Sequence, residues 1–142
     1  LGNLDAKRDW GHAKDYAKAQ WLILQNKKPD DFVIATGKQY SVREFVNTTA
    51  KCLEIDIEWR GKGSKEVGYY NNKEIIKIDP KYFRPTEVDS LIGDSTKAKK
   101  ILGWESEITF EEMVTEMAAK DLEKAKLEAN INSFKSSINV KS

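Results

Sequence analysis

Among 142 residues there is one cysteine, Cys52, and one histidine, His12. An internal disulfide is therefore impossible, and the usual cysteine–histidine zinc set cannot be assembled. Neither sign of charge dominates: 24 Lys and Arg face 23 Asp and Glu, for a formal net charge of +1. That balance excludes bulk charge as a means of holding nucleic acid or a membrane surface. No apolar run reaches the length of a membrane span, and the first residues do not read as a signal peptide. A lone cysteine suits a reducing compartment, so the cytoplasm is the expected location.

What is present is a charge-rich globular composition, 39% hydrophobic and 33% charged, in a chain long enough to bury one core. Residues 1–4 are expected to close a strand, and residues 5–12 to form a polar loop. Ala13, Tyr16, Ala17, Trp21 and Leu24 recur near helical spacing and predict a helix over 13–25. Asp15 lies early enough in it to suit the N-terminal dipole. Phe32, Val33, Ile34 and Ala35 form a short apolar run that reads as a buried strand. Ser41 and Glu44 have capping-box spacing, ahead of a helix that presents Phe45, Val46, Ala50 and Leu53. Residues 55–59 alternate as a half-exposed strand does. Residues 61–72, rich in glycine, lysine and asparagine, predict a mobile loop, and residues 75–78 a strand. A short helix over 97–102 stops at Gly103. Thr109 and Glu112 repeat the capping box, before a helix with Met113, Val114, Met117, Leu122 and Ala125 as its stripe. The chain is expected to fray after Asn130. The fold class is thus α/β: a small mixed lobe of helices and short strands, with too few strands for a complete doubly wound sheet. The lobe is placed at 1–129 and a polar tail at 130–142.

Chemistry concentrates in two places. Arg84 stands between an aromatic pair and Pro85, which biases the arginine backbone toward an extended conformation. A guanidinium fork held this way matches phosphate oxygens bidentately, and Glu87 could accept a ribose or base hydrogen bond. An ordinary surface Arg–Glu ion pair fits the same spacing. Arg8, followed by Asp9 and Trp10, offers a second phosphate contact, with a loop ion pair as its alternative. Two such arginines in one lobe favour a diphosphate site. Other patterns carry less. Tyr69 and Lys73 have Tyr-x-x-x-Lys spacing, but Gly68, Asn71 and Asn72 make a poor helix. Gly61 to Lys65 lacks the full phosphate-loop spacing. His12 suits helix-start hydrogen bonding, and Cys52 a small core position. Trp21, Trp59 and Trp104 suit core or interface packing, and the lysines at 97, 99 and 100 a solvated face.

Residues 1–16 (LGNLDAKRDWGHAKDY), 31–37 (DFVIATG), 41–46 (SVREFV), 82–89 (YFRPTEVD), 93–98 (GDSTKA) and 102–104 (LGW) closely resemble, in order, segments of GDP-mannose 4,6-dehydratases. The resemblance runs from about Leu1 to Lys126 and is weakest over 61–77. It implies the distal, substrate-binding part of an extended short-chain dehydrogenase/reductase. Members of the family turn GDP-mannose into GDP-4-keto-6-deoxymannose, a precursor of GDP-fucose. Sugar C4 is oxidised, water leaves across C5 and C6, and C6 is reduced, with NADP storing the hydride. The resemblance makes Arg8 and Arg84 diphosphate ligands and Glu87 a contact to the nucleoside. It implies GDP-mannose and a preceding Rossmann half as partners, and a homo-oligomer for the parent enzyme. The family's glycine-rich fingerprint, catalytic Thr and Glu, and Tyr-x-x-x-Lys pair precede this region, so the chain holds no catalytic residue and is expected to be inactive and to bind no NADP alone. A non-catalytic nucleotide-sugar-binding module, or part of a related GDP-sugar epimerase or reductase, is the alternative.

Overall fold

The computed structural model describes residues 1–82, Val88 and residues 90–139. Its elements are β1 (Lys7–Arg8), α1 (Ala13–Gln25), β2 (Tyr40–Ser41), α2 (Val42–Cys52), β3 (Glu58–Arg60), β4 (Val67–Tyr70), β5 (Lys73–Lys77), α3 (Thr96–Leu102) and α4 (Phe110–Asn139). β1 and β2 pair antiparallel, and β3, β4 and β5 form an antiparallel meander. No helix among the described residues is long and apolar enough to cross a membrane.

The helices begin where the capping residues predict. Ser41 Oγ accepts from the Glu44 amide at 3.1 Å, while the Ser41 amide donates to the Glu44 carboxylate at 2.6 Å. Thr109 and Glu112 make the same reciprocal pair ahead of α4, at 3.2 and 2.8 Å. Each box satisfies two helix-end donors that would otherwise lack partners. His12 caps α1 through Nδ1, which accepts from the Lys14 amide at 3.1 Å. That bond requires the ring proton to sit on Nε2, which faces Glu116 at 3.4 Å. α3 stops at Gly103, whose φ of 67° suits glycine.

Two apolar clusters hold these elements. In the first, Ala19 of α1, Ala98 of α3 and Trp104 are fully buried, with Tyr16, Leu22, Phe32, Ile34 and Leu102 packed around them. In the second, Phe110, Met113 and Val114 of α4 meet Trp10, Tyr40, Phe45 and Ile108. Tyr40 stacks on Phe110 with centroids 3.9 Å apart, and Trp10 meets Phe45 edge-on at 5.2 Å. The meander is fastened to α2 by Arg43. Its guanidinium binds Glu66 bidentately at 2.7 and 2.8 Å, reaches Asp5 at 3.1 Å and lies over the Trp59 ring.

Several expectations are corrected. Residues 1–4 form no strand; Leu4 is buried, and Leu1 exchanges backbone hydrogen bonds with Lys77 and Asp79. Residues 61–72 are a one-turn 3-10 helix (Gly63–Lys65) and a hairpin, not a loose loop. Asn71 and Asn72 both have positive φ, the conformation a tight two-residue hairpin demands and asparagine tolerates. Tyr69 and Lys73 therefore lie on neighbouring strands, not one turn apart on a helix. Cys52 is exposed rather than in the core. α1 buries Tyr16, Ala19 and Leu22, whereas Trp21 and Leu24 of the expected face are 60% and 80% exposed. α4 continues past Asn130 to Asn139.

Glu116 joins α1 to α4, accepting from Lys120 on its own helix at 2.9 Å and from Lys14 at 3.4 Å. Lys120 first, then Lys14, hold its carboxyl down at about 2, against an ordinary 4.5. A depressed folded value stabilises the protein fully above about 4.5, and that contribution fades as pH falls toward about 2. Acid titration of the melting temperature should show this loss, and Glu116→Gln should flatten part of it.

Candidate functional site

The sequence places a buried alanine, Ala6, and a short β strand next to two charged residues, Arg8 and Asp9. β1 is the organising strand. It pairs with β2 through Lys7–Ser41 and Arg8–Tyr40, and Lys7 bridges in parallel to Ser90 on the other side. The Leu91 amide donates to the Lys7 carbonyl at 3.3 Å, and Gln39 Nε2 donates to Ser90 Oγ at 2.7 Å. Three distant stretches of chain, around residues 8, 40 and 90, thus meet.

Arg8 is half-buried, and its Nη1 donates to the carbonyls of Lys7 and Val88, both at 2.8 Å. Arg84 and Glu87 lie outside the described residues. The carbonyl that Arg8 holds nonetheless belongs to the residue directly after Glu87 in the chain.

Asp9 does not pair with Arg8 in a loop ion pair of its own. Its carboxylate gathers four donors: the Thr36 amide at 2.9 Å, Thr36 Oγ1 at 2.6 Å, the Gly37 amide at 2.9 Å and the Gly93 amide at 3.2 Å. Gly37 has a φ of 72°, which presents its amide toward Asp9 at little strain. Gly93 allows close approach, since a Cβ there would stand 2.2 Å from that of Ala35. Asp15, the one buried charged residue among those described, does the same on α1. Its Oδ2 accepts from Ser106 Oγ and from the amides of Glu107 and Ile108, each at 3.0 Å, and its carbonyl takes Trp104 Nε1 at 2.9 Å. Periodicity placed Asp15 in a first turn but carried no sign of this docking role. Tyr16 lies between the two acids; burial above all, then Asp9 and Asp15, push its phenol up, so it stays protonated at neutral pH.

A hollow of about 70 Å³ is lined by Trp10, Thr36, Lys38, Tyr40 and residues 106–110. It is far smaller than the roughly 300–1,000 Å³ of small-molecule pockets. No group of three or more His, Cys, Asp or Glu among the described residues could hold a metal. Among the described residues the arrangement fixes loops around the Asp9 and Asp15 carboxylates.

The model of the family described as GDP-mannose 4,6 dehydratase matches residues 1–117. A GDP-mannose 4,6 dehydratase of Dictyostelium discoideum is 58% identical over 125 residues, 87% of this chain and 35% of that protein. One from Yersinia enterocolitica is 51% identical across 100% of this chain and 42% of its own length, and the human enzyme is 55% identical across 87% and 34%. The chain thus spans roughly two fifths or less of these curated relatives. Among solved structures, RMD from Pseudomonas aeruginosa complexed with NADPH matches with a TM-score of 0.63 at 17% identity, over 84% of this chain and 34% of that one. UDP-glucose 4-epimerase from Thermotoga maritima with UDP-glucose matches with a TM-score of 0.66 at 22% identity, over 88% and 34%. These two show a shared fold.

Replacing Asp9 by Ala would strand amides and a hydroxyl that now share one carboxylate. Each buried donor left unpaired costs about 1–3 kcal/mol. Asp9→Ala should therefore destabilise the fold by at least about 3 kcal/mol in urea titration, whereas Asp9→Asn, which keeps one oxygen acceptor, should cost less.

Proposed function

Since the chain belongs to the GDP-mannose 4,6-dehydratase family, we propose that it is the nucleotide-sugar-binding part of such an enzyme, and that Arg8, Arg84 and Glu87 hold GDP-mannose. The observation that carries the reading is the hydrogen bond from Arg8 to the Val88 carbonyl. It ties one expected diphosphate ligand to Val88, four positions after the other in sequence. Two guanidinium groups acting on one diphosphate each contribute a charge-assisted bond, and the anchored backbone lowers the entropy lost on binding. Glu87, three residues beyond Arg84, accepts from the nucleoside.

The parent is a lyase of nucleotide-sugar metabolism, cytoplasmic, on the route to GDP-fucose, and assembles as a homo-oligomer. When bound, NADP stores the hydride taken from sugar C4 and returned at C6. The sequence has no glycine-rich strand–turn–helix cradle for it, so NADP and the catalytic groups are assigned to a preceding Rossmann half. This chain's share is to bind the nucleotide, set the register of the hexose and shield one side from water.

Two features support such a half. Phe32 and Ile34 are half-buried on either side of the exposed Val33, yet residues 32–35 pair with no strand among the described residues. Backbone polar groups in such a segment call for a ladder partner. Val33 is 54% exposed, and Trp21 and Leu24 on α1 are more so. The strand expected at 32–35 fails to form here because its partners are not in this chain. The preceding half supplies the missing sheet and covers these side chains.

In the full-length parent, Arg8→Ala or Arg84→Ala should weaken GDP binding by roughly 1.5–3 kcal/mol in calorimetry, with the melting temperature little changed. Unchanged affinity in either variant removes that arginine from the site. The chain alone, incubated with GDP-mannose and NADP, should give no 4-keto product by mass spectrometry; turnover would contradict the assignment of catalysis to the other half.

A further inference from the structure

The start of α1 sets two demands on one ring. His12 is the only histidine in the chain, and its side chain is 11% exposed. Its Nδ1 accepts from the Lys14 amide at 3.1 Å, and its Nε2 stands 3.4 Å from Glu116 Oε2 on α4. The His12 carbonyl already serves the amides of Asp15 and Tyr16, so the ring supplies the acceptor for Lys14. That first partner is a donor and needs a neutral ring with a lone pair on Nδ1. The second is a carboxylate and attracts an imidazolium. Lys120 first, then Lys14, hold the Glu116 carboxyl down at about 2, so the anion persists far below neutrality. The next acids on either helix are committed elsewhere: Asp15 to residues 106–108, and Glu112 to the Thr109 box.

We propose that His12 is a proton-operated cap, which holds the first turn of α1 when neutral and, when protonated, releases the Lys14 amide while keeping Glu116. A proton on Nδ1 would point at the amide proton of Lys14, setting two donors against each other across 3.1 Å. The ring has little room to turn away, because it is almost enclosed and its other nitrogen faces an anion whose pull grows as the ring becomes positive. The helix start is the part that can yield: Ala13 and Lys14 are exposed. A positive charge at a helix N-terminus also opposes the helix dipole. Imidazole is the side chain whose charge changes across the physiological range, so mild acid is the signal. The charged groups facing the ring are Lys14 from α1 and Glu116 from α4, with Lys120 bound behind Glu116. The device sits where the segment carrying Arg8 and Asp9 enters α1. The inference does not depend on the function proposed above.

Nitrogen NMR of the whole chain tests it, and a single histidine leaves the ring signals unambiguous. In mild alkali the ring should show the Nε2–H tautomer, with a coupling across the hydrogen bond between the Lys14 amide and Nδ1. As the ring takes up its second proton that coupling should vanish. Lys14 amide exchange, corrected for its intrinsic pH dependence, should then quicken roughly fivefold, the factor that matches loss of an ordinary cap. Contacts between the ring and the Glu116 methylenes should persist. His12→Asn, which caps without titrating, should keep Lys14 exchange steady over the same range. Glu116→Gln should keep the neutral cap but lose the contacts between ring and α4 on protonation. An Nδ1–H tautomer in alkali overturns the proposal. So does a Lys14 amide that ignores ring protonation, or one that responds equally in His12→Asn. Departure of the protonated ring from Glu116, or unfolding of the whole chain before the ring titrates, overturns it as well.

Discussion

The carboxylate of Asp9 is the constraint on which the rest of the site depends. It stands directly after Arg8 at the end of a two-residue strand, and it holds the backbone of residues 36–37 and of residue 93 at once. Three chain segments far apart in sequence cannot be brought together by local propensity. A charged acceptor with four directed donors does it, because each donor removed from water must find a partner. With Asp9 engaged, Arg8 is placed beside Val88, to whose carbonyl its guanidinium donates.

Asp15 and Arg43 apply the same device elsewhere. Asp15 ties α1 to residues 106–108, just ahead of α4, and so fixes where the aromatic cluster of Trp10, Tyr40, Phe45 and Phe110 can close. Arg43 fastens the β3–β5 meander to α2 through Glu66 and Trp59. The lobe therefore uses its internal charges to set loop geometry. The exposed pairs, such as Lys97 with Asp30 or Lys18 with Glu107, decorate a solvated face and contribute little.

Function follows from an open architecture. Of the expected nucleotide ligands, Arg8 lies half-buried on β1, and the hollow lined by Trp10, Thr36 and Tyr40 is too small for a nucleotide sugar. The extended segment 32–35 and the apolar side of α1 have no cover among the described residues. The proposed function assigns substrate binding to this lobe and chemical transformation to a preceding half. Trp21, Leu24 and Val33 are large apolar side chains left exposed in this lobe.

The sequence by itself determined the helix starts, through Ser41 with Glu44 and Thr109 with Glu112, and the stop at Gly103, because capping is decided by residues within four positions of one another. It also determined the family, because ordered motifs survive without knowledge of contacts. The exposed Trp21, the hairpin at 67–77 and the missing strand at 32–35 were not legible. Periodicity shows that a face is apolar but not which partner covers it, and a strand exists only when another chain segment pairs with it. Tertiary structure alone decided that Asp9 and Asp15 are docking acids and that Arg8 reaches Val88, since those partners lie tens of residues away and only the closed fold brings their amides and carbonyls within hydrogen-bond range.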